Sequence, residues 1–231
     1  AVDTELQLLE EVSGEKRREE AETDGPYAHL VLNAKPVAYW RLGEFEGDVA
    51  KDHTGAGRHA KVEPAVAHYL SGSERVGFCG PDAVNRCLHF VTGRLMVDLP
   101  NIGNDYSVEM WFWNGFPNDA RPLTAYLFSR GPEGSPGTPG DHVGISGASS
   151  DQPGLLGIYN GDRVKTSLRG GPVIEKKTWH HLVFVRRGKG VEIFLNGSMT
   201  PIVSGDVEVT YPPGCTQFCF GSRSDRFANL E

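Results

Sequence analysis

Residues 178–198, TWHHLVFVRRGKGVEIFLNGS, determine the fold more than any other stretch of the chain. Alternate residues of WHHLVFV point to opposite sides of a strand: Trp179, His181, Val183 and Val185 to one side, His180, Leu182 and Phe184 to the other. A second strand, VEIFL, follows a glycine-containing break, and Asn196-Gly197 then suits a two-residue hairpin turn because both residues tolerate positive φ. Apolar residues on both faces predict a β-meander inside a layered sandwich.

Size and composition fit a single all-β domain. A chain of 231 residues with 39% hydrophobic content can bury a full core. Its 29 glycines and 15 prolines stand between short apolar runs, as turn residues do in proteins with many strands. We therefore predict a two-sheet antiparallel sandwich, preceded by a short N-terminal helical arm.

The same reading predicts the positions of the other elements. A helical turn is expected at 27–33, and Gly- and Pro-rich loops at 130–141 and 147–153 are expected to be exposed. Besides the two strands at 179–186 and 191–195, strands are expected at 37–42, 59–62, 86–91, 94–98, 106–113, 124–129, 142–146, 154–159, 164–168, 206–210 and 217–221.

Charge is concentrated at the N-terminus. Residues 1–25 hold nine acids and three bases, a net of −6, so that the whole-chain value of −7 leaves about −1 for the remainder. We predict a charged helical arm or linker at 1–26 and one domain at 27–231. No basic face is evident, which excludes nucleic acid as a partner, and no apolar run reaches the roughly 20 residues of a transmembrane helix.

The four cysteines form two local pairs in the sequence. If the phenylalanines of the CLHF and FCF segments face the core, the cysteines in them face outward. We expect disulfides Cys79–Cys87 and Cys215–Cys219, and hence an oxidising, extracytoplasmic compartment. A four-thiolate zinc site is the alternative, but the spacings fit ordinary zinc motifs poorly.

The order of several motifs resembles the laminin-G-like members of the concanavalin A-like jelly rolls. The resemblance covers residues 27–227 and rests on AYWRLGE, DHTGAGRHA, LHFVTG with LMVDLP, SVEMWFW, LFSRG, WHHLVFV, VEIFLNG and FGSRSD, in that order. It implies two packed antiparallel sheets in a bacterial secreted or surface protein of several domains. Such domains usually close with one more strand after the Gly-x-Arg segment, so we expect this sandwich to lack its last strand.

Motifs for catalysis are absent. Laminarinase-type relatives on this fold carry Glu-x-Asp-x-x-Glu on one strand, because retaining hydrolysis needs two carboxylates about 5 Å apart. The corresponding strand offers only Glu109, and no Gly-x-Ser-x-Gly, phosphate-loop or His-Glu-x-x-His motif occurs. We expect no enzyme; a glycoside hydrolase is the least favoured alternative.

The sequence offers two candidates for a metal site. His180 and His181 are neighbours on a strand and point to opposite faces, so they cannot share one ion. A structural calcium ion is expected at Asp52 in the DHTGAG turn and at Asp225 in SRSD, because several relatives hold one at the rim of the sandwich and calcium prefers oxygen ligands. An Asx-turn at Asp52 and a solvated Asp225 are the alternative.

A ligand-binding face is predicted on the strand 106–113. Glu109, Trp111 and Trp113 share one side, opposite Val108, Met110 and Phe112. Sugar CH groups pack on aromatic rings while polar neighbours bind the hydroxyls. We place Tyr159 at the same site, with Asp119 and Arg121 as candidates to border it. The chain is thus expected to be a non-catalytic module that binds a glycan; a protein-binding or structural module is the alternative.

Overall fold

The computed structural model describes residues 25–74, 77–79, 85–115, 117–118, 120–164, 167–227 and 230. The predicted charged arm lies outside this part of the chain, except for its last two residues. The elements are α1 (Pro26–Asn33), β1 (Val49–Ala50), β2 (Ala60–Val62), β3 (Val66–Ser71), β4 (Arg86–Phe90), β5 (Leu95–Asp98), β6 (Asp105–Trp113), β7 (Ala125–Arg130), β8 (Asp141–Ile145), β9 (Leu156–Tyr159), β10 (Ser167–Gly170), β11 (Trp179–Arg187), β12 (Gly190–Leu195), β13 (Val203–Asp206) and β14 (Gln217–Phe220).

The chain divides into two compact units, of which the first contains the described residues at 25–59 and 67–89. Helix α1 starts with Pro26, whose missing N–H costs nothing at a helix N-terminus. Strands β3 and β4 form a two-stranded sheet. The predicted strand at 37–42 is wrong: it makes only one bridge, Trp40 to Asp52, and the φ of +63° at Leu42 interrupts the extended backbone.

The second unit, residues 60–66 and 90–231, contains two antiparallel sheets. Within this unit, the strands of the larger sheet have the order β2-β5-β14-β7-β8-β9-β10, and those of the smaller sheet have the order β13-β12-β11-β6. Aromatic side chains pack between the sheets: the ring of Phe184 on β11 lies 5.4 Å from that of Phe128 on β7, and Tyr106 on β6 lies 5.7 Å from Phe218 on β14. The predicted two-sheet antiparallel sandwich is confirmed.

A buried ion pair joins the two sheets. Arg186 on β11 donates from Nε to Oδ2 of Asp141 on β8 at 2.6 Å, and neither side chain is exposed. The hydroxyl of Tyr106 donates to the same carboxylate oxygen at 2.6 Å. Nη2 of Arg186 donates to the other carboxylate oxygen of Asp141, and Nη1 donates to the carbonyls of Gly188 and Val207. This buried charge therefore has both a counter-ion and hydrogen-bond partners.

The outer side of the larger sheet is covered by the chain itself. His142 on β8 is fully buried; its Nδ1 lies 2.9 Å from Ser129 Oγ and its Nε2 lies 3.0 Å from the carbonyl of Thr138. Thr138 in turn donates to Asp225 at 3.0 Å. The loop at 131–140 is therefore not the fully exposed loop that its composition predicts, because part of it closes over His142.

Two further differences from the sequence prediction concern strands. β13 lies at Val203–Asp206 rather than at 206–210, because its register is set by pairing of Val203 with Ile193 after the hairpin turn. β1 and β3 were not predicted at all. None of the described helices is long and apolar enough to cross a bilayer.

Candidate functional site

The outer side of the smaller sheet presents a set of aromatic side chains. On β6, Phe112 is buried at 5% exposure, whereas the next residue, Trp113, is 43% exposed. Glu109 is exposed and Trp111 is half-buried on the same side as Trp113. The predicted alternation of β6 thus places Glu109, Trp111 and Trp113 on one outward side.

Pairing with β11 adds further aromatic residues to this side. Trp179 is directly opposite Trp113, and His181 is directly opposite Trp111. Phe194 on β12 follows one strand further, opposite Val183. Neighbouring strands lie about 4.8 Å apart, and alternate residues along a strand about 6.6 Å apart, so these side chains line one side of the sheet, with Val183 between Phe194 and Glu109. We call the surface formed by Glu109, Trp111, Trp113, Trp179, His181 and Phe194 the aromatic face.

A polar pair crosses the middle of the aromatic face. His181 Nε2 lies 2.9 Å from Glu109 Oε1, and the His181 ring lies 4.9 Å from that of Trp111 at an interplanar angle of 33°. The backbone N–H of His181 donates to Asn196 Oδ1 at 2.9 Å. Strand pairing and the hairpin turn therefore fix the imidazole between a carboxylate and an indole.

His180 occupies the opposite side of β11. Its side chain is buried and stacks on Phe112 at 5.3 Å, and its Nε2 lies 3.0 Å from the carbonyl of Glu175. The prediction that His180 and His181 face opposite sides of one strand is confirmed. His180 belongs to the packing of the sandwich, and His181 belongs to the aromatic face.

Tyr159 does not lie on the aromatic face. It is on β9 of the larger sheet, where it pairs with His142, and its hydroxyl donates to Asp162. Arg121 lies closer, since it donates to the side chain of Asn114, the residue after Trp113, at 3.1 Å. Asp119 lies outside the described residues. The structure thus keeps Glu109, Trp111 and Trp113 together and separates Tyr159 from them.

Asp52 in the first unit is surrounded by hydrogen-bond donors. Its carboxylate accepts the backbone N–H groups of Tyr39, Thr54 and Arg58 at 3.0–3.1 Å, and the hydroxyl of Thr54. Burial alone raises the pKa of Asp52, but these hydrogen bonds outweigh it and the pKa is lowered. The arrangement is that of an Asx-turn.

Asp225 in the second unit is an ion-pair partner. Arg223 binds both carboxylate oxygens, at 2.8 and 2.7 Å. Burial opposes ionisation, but Arg223 and the hydrogen bonds from Thr138 and Phe227 lower the pKa of Asp225 to about 2. In the part of the chain that the structure describes, no group of three His, Cys, Asp or Glu side chains is placed to hold a metal ion. The residues around both aspartates do not fit a metal site, and calcium stays a prediction that these contacts do not support.

The structure contains neither of the predicted disulfides, and all four cysteines are free thiols in it. Cys219 lies on the outer side of the larger sheet, opposite Ser129, as predicted, but it is buried there because the segment after β14 covers it and its thiol contacts the Ser222 carbonyl at 3.3 Å. Cys215 is four residues away along an extended segment, on the order of 10 Å, which is too far for a disulfide. The thiols of Cys79 and Cys87 have different neighbours, Asn85 and Ser71.

Sequence analysis alone did not assign Trp179, His181 and Phe194 to the site. Alternation shows that Trp179 and His181 share a side of β11 and that Trp111 and Trp113 share a side of β6. Only the antiparallel register, which matches Trp179 with Trp113, brings the two sides together. A preference for aromatic pairs across neighbouring strands is the signal that suggests such a pairing.

The architecture is a jelly-roll β-sandwich with an aromatic surface on one sheet. The sequence profile of the concanavalin A-like lectin/glucanases superfamily matches residues 92–228, and the chain belongs to this superfamily. No curated protein matches the sequence.

Several solved structures are similar to this chain at low sequence identity. Domain 4 of AbnA, a GH43 extracellular arabinanase from Geobacillus stearothermophilus, in complex with arabinotriose, has a TM-score of 0.55 and 16% identity, over 80% of this chain and 82% of that one. A mutant of HCR/D has a TM-score of 0.51 and 12% identity, over 82% and 43% of the two chains. The CBM40 of Ruminococcus gnavus IT-sialidase, bound to α2,3-sialyllactose, has a TM-score of 0.41 and 14% identity, over 55% and 68%.

Proposed function

We propose that this protein is a non-catalytic carbohydrate-binding module and that the aromatic face is its binding site. One observation carries the proposal: three tryptophans lie side by side on the outer surface of the smaller sheet, next to a hydrogen-bonded Glu109–His181 pair. Large aromatic side chains in a sandwich usually fill the core, yet Trp113 is 43% exposed. A protein ligand on the same face is the alternative, because tryptophan is also enriched at protein interfaces.

The chemistry of the aromatic face matches that of a sugar. The apolar CH faces of a pyranose or furanose pack on indole rings such as those of Trp113 and Trp179. Hydroxyl groups at the edge of the sugar need acceptors and donors, which the carboxylate of Glu109 and the imidazole of His181 supply. Stacking thus provides contact area and the polar pair provides orientation.

The opposite side of the sandwich is a poorer candidate. There the loop containing Thr138 covers His142, and Thr138 is tied to Asp225. Arg223 lies over the ring of Tyr126, which is itself buried. A glycan on that side would have to displace these contacts, whereas the aromatic face already presents the exposed ring of Trp113 beside half-buried ones.

The spacing of carboxylates on the aromatic side supports a role without catalysis. Among the described residues, the other acids on the outer side of the smaller sheet are Asp105, Glu192 and Asp206, and Glu192 on β12 is the nearest to Glu109, two strands and two residues away. Strand geometry gives about 12 Å between the two Cα atoms. Retaining glycosidases need about 5 Å between carboxyl groups and inverting ones about 6.5–9.5 Å. Glu192 also pairs with Arg187 at 3.0 Å.

The similar structures are consistent with this assignment at the level of fold. Domain 4 of AbnA was solved with arabinotriose and belongs to an extracellular enzyme. By analogy we place this module in an extracytoplasmic protein with further domains. That placement rests on likeness of fold and not on any residue of the aromatic face.

The test is glycan binding by the wild type and by Trp113→Ala, with a glycan array followed by titration calorimetry on the best glycan. Loss of a central stacking tryptophan should weaken binding about tenfold or more. Tyr159→Ala is the matched control, because it removes a half-buried aromatic ring from the other sheet. An array without hits, or equal losses for both variants, would refute the proposal; capture of a protein partner through Trp113 instead would support the alternative.

A further inference from the structure

We propose that the aromatic face selects neutral oligosaccharides and discriminates against sugars that carry carboxylate or sulfate groups. This inference rests on the proposed function and concerns the same surface. It follows from the hydrogen-bonding chemistry of Glu109 and from the length of β6.

Glu109 accepts hydrogen bonds and cannot donate them when it is ionised. Its side chain is 46% exposed and lies next to Trp111 on the same strand. A sugar that stacks on Trp111 and Trp113 therefore meets a carboxylate at its edge. A hydroxyl group can donate to that carboxylate, but the carboxylate or sulfate of an anionic sugar has only acceptors and the same sign of charge.

The arginine side chains of the smaller sheet form ion pairs away from the middle of the aromatic face. Arg186 is buried on the inner side of β11 with Asp141, and Arg187 at the end of β11 pairs with Glu192. His181 has its Nε2 directed at Glu109. Lys176 and Lys177 are exposed, but they precede β11 and lie beyond Trp179 at the end of the face, in a loop with the acidic Glu175. Within the described residues, the middle of the aromatic face thus offers an acid rather than a base.

The length of the outward row on β6 indicates the size of the ligand. This row runs from Ser107 through Glu109 and Trp111 to Trp113, which is six residue-to-residue steps of extended chain. At about 3.3 Å per residue it is about 20 Å long. A single sugar ring covers only part of such a row, so an oligosaccharide makes contacts that a monosaccharide cannot.

The experiment compares neutral glycans with their sialylated, sulfated and uronic-acid counterparts on one array, using the wild type. We expect neutral oligosaccharides to bind at least fivefold more strongly than their anionic counterparts and more strongly than monosaccharides. Stronger binding of the anionic counterparts, with dependence on Trp113 retained, would overturn this inference and leave the proposed function intact. The absence of all glycan binding would refute both.

A charge-neutral variant tests the assignment to Glu109. Glu109→Gln keeps the shape of the side chain and removes its charge, so the preference for neutral over anionic glycans should fall at least threefold. Asp151→Asn removes the same charge from an exposed loop next to the larger sheet and should leave the preference unchanged. An unchanged preference in Glu109→Gln would contradict the role given to this carboxylate.

Discussion

Asp141 and Arg186 are paired inside the sandwich with no exposure of either side chain, and they join β8 of the larger sheet to β11 of the smaller one. Burial raises the pKa of Asp141, although the hydrogen bonds from Arg186 and Tyr106 oppose the shift. Such a pair stabilises the fold only while both members are present.

Arg186→Met should destabilise the protein by about 3–5 kcal/mol, because it leaves a buried carboxylate without its counter-ion. Urea denaturation followed by tryptophan fluorescence measures the change. Arg187→Met is the matched control, since the neighbouring side chain is 73% exposed, and it should cost less than about 1 kcal/mol. If Arg186→Met does not fold, Tyr106→Phe removes one hydrogen bond to Asp141 and should cost about 1–3 kcal/mol. Equal stability of all these variants would contradict a structural role for the pair.

His142 should make stability depend on pH in the weakly acidic range. Burial lowers the pKa of His142 to about 4 in the folded protein, against about 6.5 in an unfolded chain. The unfolded chain therefore binds a proton first, so stability is full above pH 6.5 and falls as the pH drops toward 4, by on the order of 2 kcal/mol. Comparison of denaturation free energies at pH 7 and pH 4.5 should show a smaller pH dependence in His142→Gln. His29→Gln, at an exposed position of α1, should match the wild type.

Asp225 should make the stability of the protein depend on pH in a lower range than His142 does. Its pKa is lowered to about 2 in the folded state, so its contribution is present above about pH 4 and is lost as the pH falls from 4 to 2. With screening by solvent at this partly exposed site, the contribution is on the order of 1 kcal/mol. Thermal denaturation between pH 5 and pH 2 should be less steeply pH-dependent in Asp225→Asn than in Asp151→Asn. The same slope in both variants would argue against the Arg223–Asp225 pair.

The cysteines should behave as four thiols of unequal reactivity. Burial raises the pKa of Cys219 to about 12 and that of Cys87 to about 11. Because the thiolate is the reactive form, the native protein should react slowly with iodoacetamide, and Cys219 should react last. Mass spectrometry after labelling in denaturant without reductant should find four alkylated cysteines. A native mass lower by two or four hydrogens, with fewer labelled cysteines, would show a disulfide instead.

Much of the sandwich could be predicted from local alternation. The alternation in WHHLVFV, residues 179–185, correctly predicts which side chains of β11 face the core, as the buried His180 and the outward His181 show. For Cys219 the same rule gives the correct side of β14 but not the burial, because the chain at Ser222 and Arg223 covers the outer side there and contacts the thiol. Alternation predicts exposure only where one side of a strand faces solvent.

The candidate site was predictable only in part. Glu109, Trp111 and Trp113 follow from the alternation of β6 alone. Their association with Trp179 and His181, and the separation of Tyr159 from them, depend on which strands become neighbours in which sheet. Local propensity does not contain that information, just as it does not show that the φ of +63° at Leu42 ends the extended segment around Trp40.

The turn at Asn196-Gly197 determines which side chains of β11 lie on the aromatic face. Asn196 has a φ of +53° and accepts the N–H of His181, which fixes how far β12 folds back along β11. A shift of β11 by one residue would turn His180 and Leu182 outward and bury His181. Glu109 would then lose its hydrogen bond with His181, although the amino-acid sequence would be the same. Two exposed turn residues thus decide which of two adjacent histidines the protein presents to its surroundings.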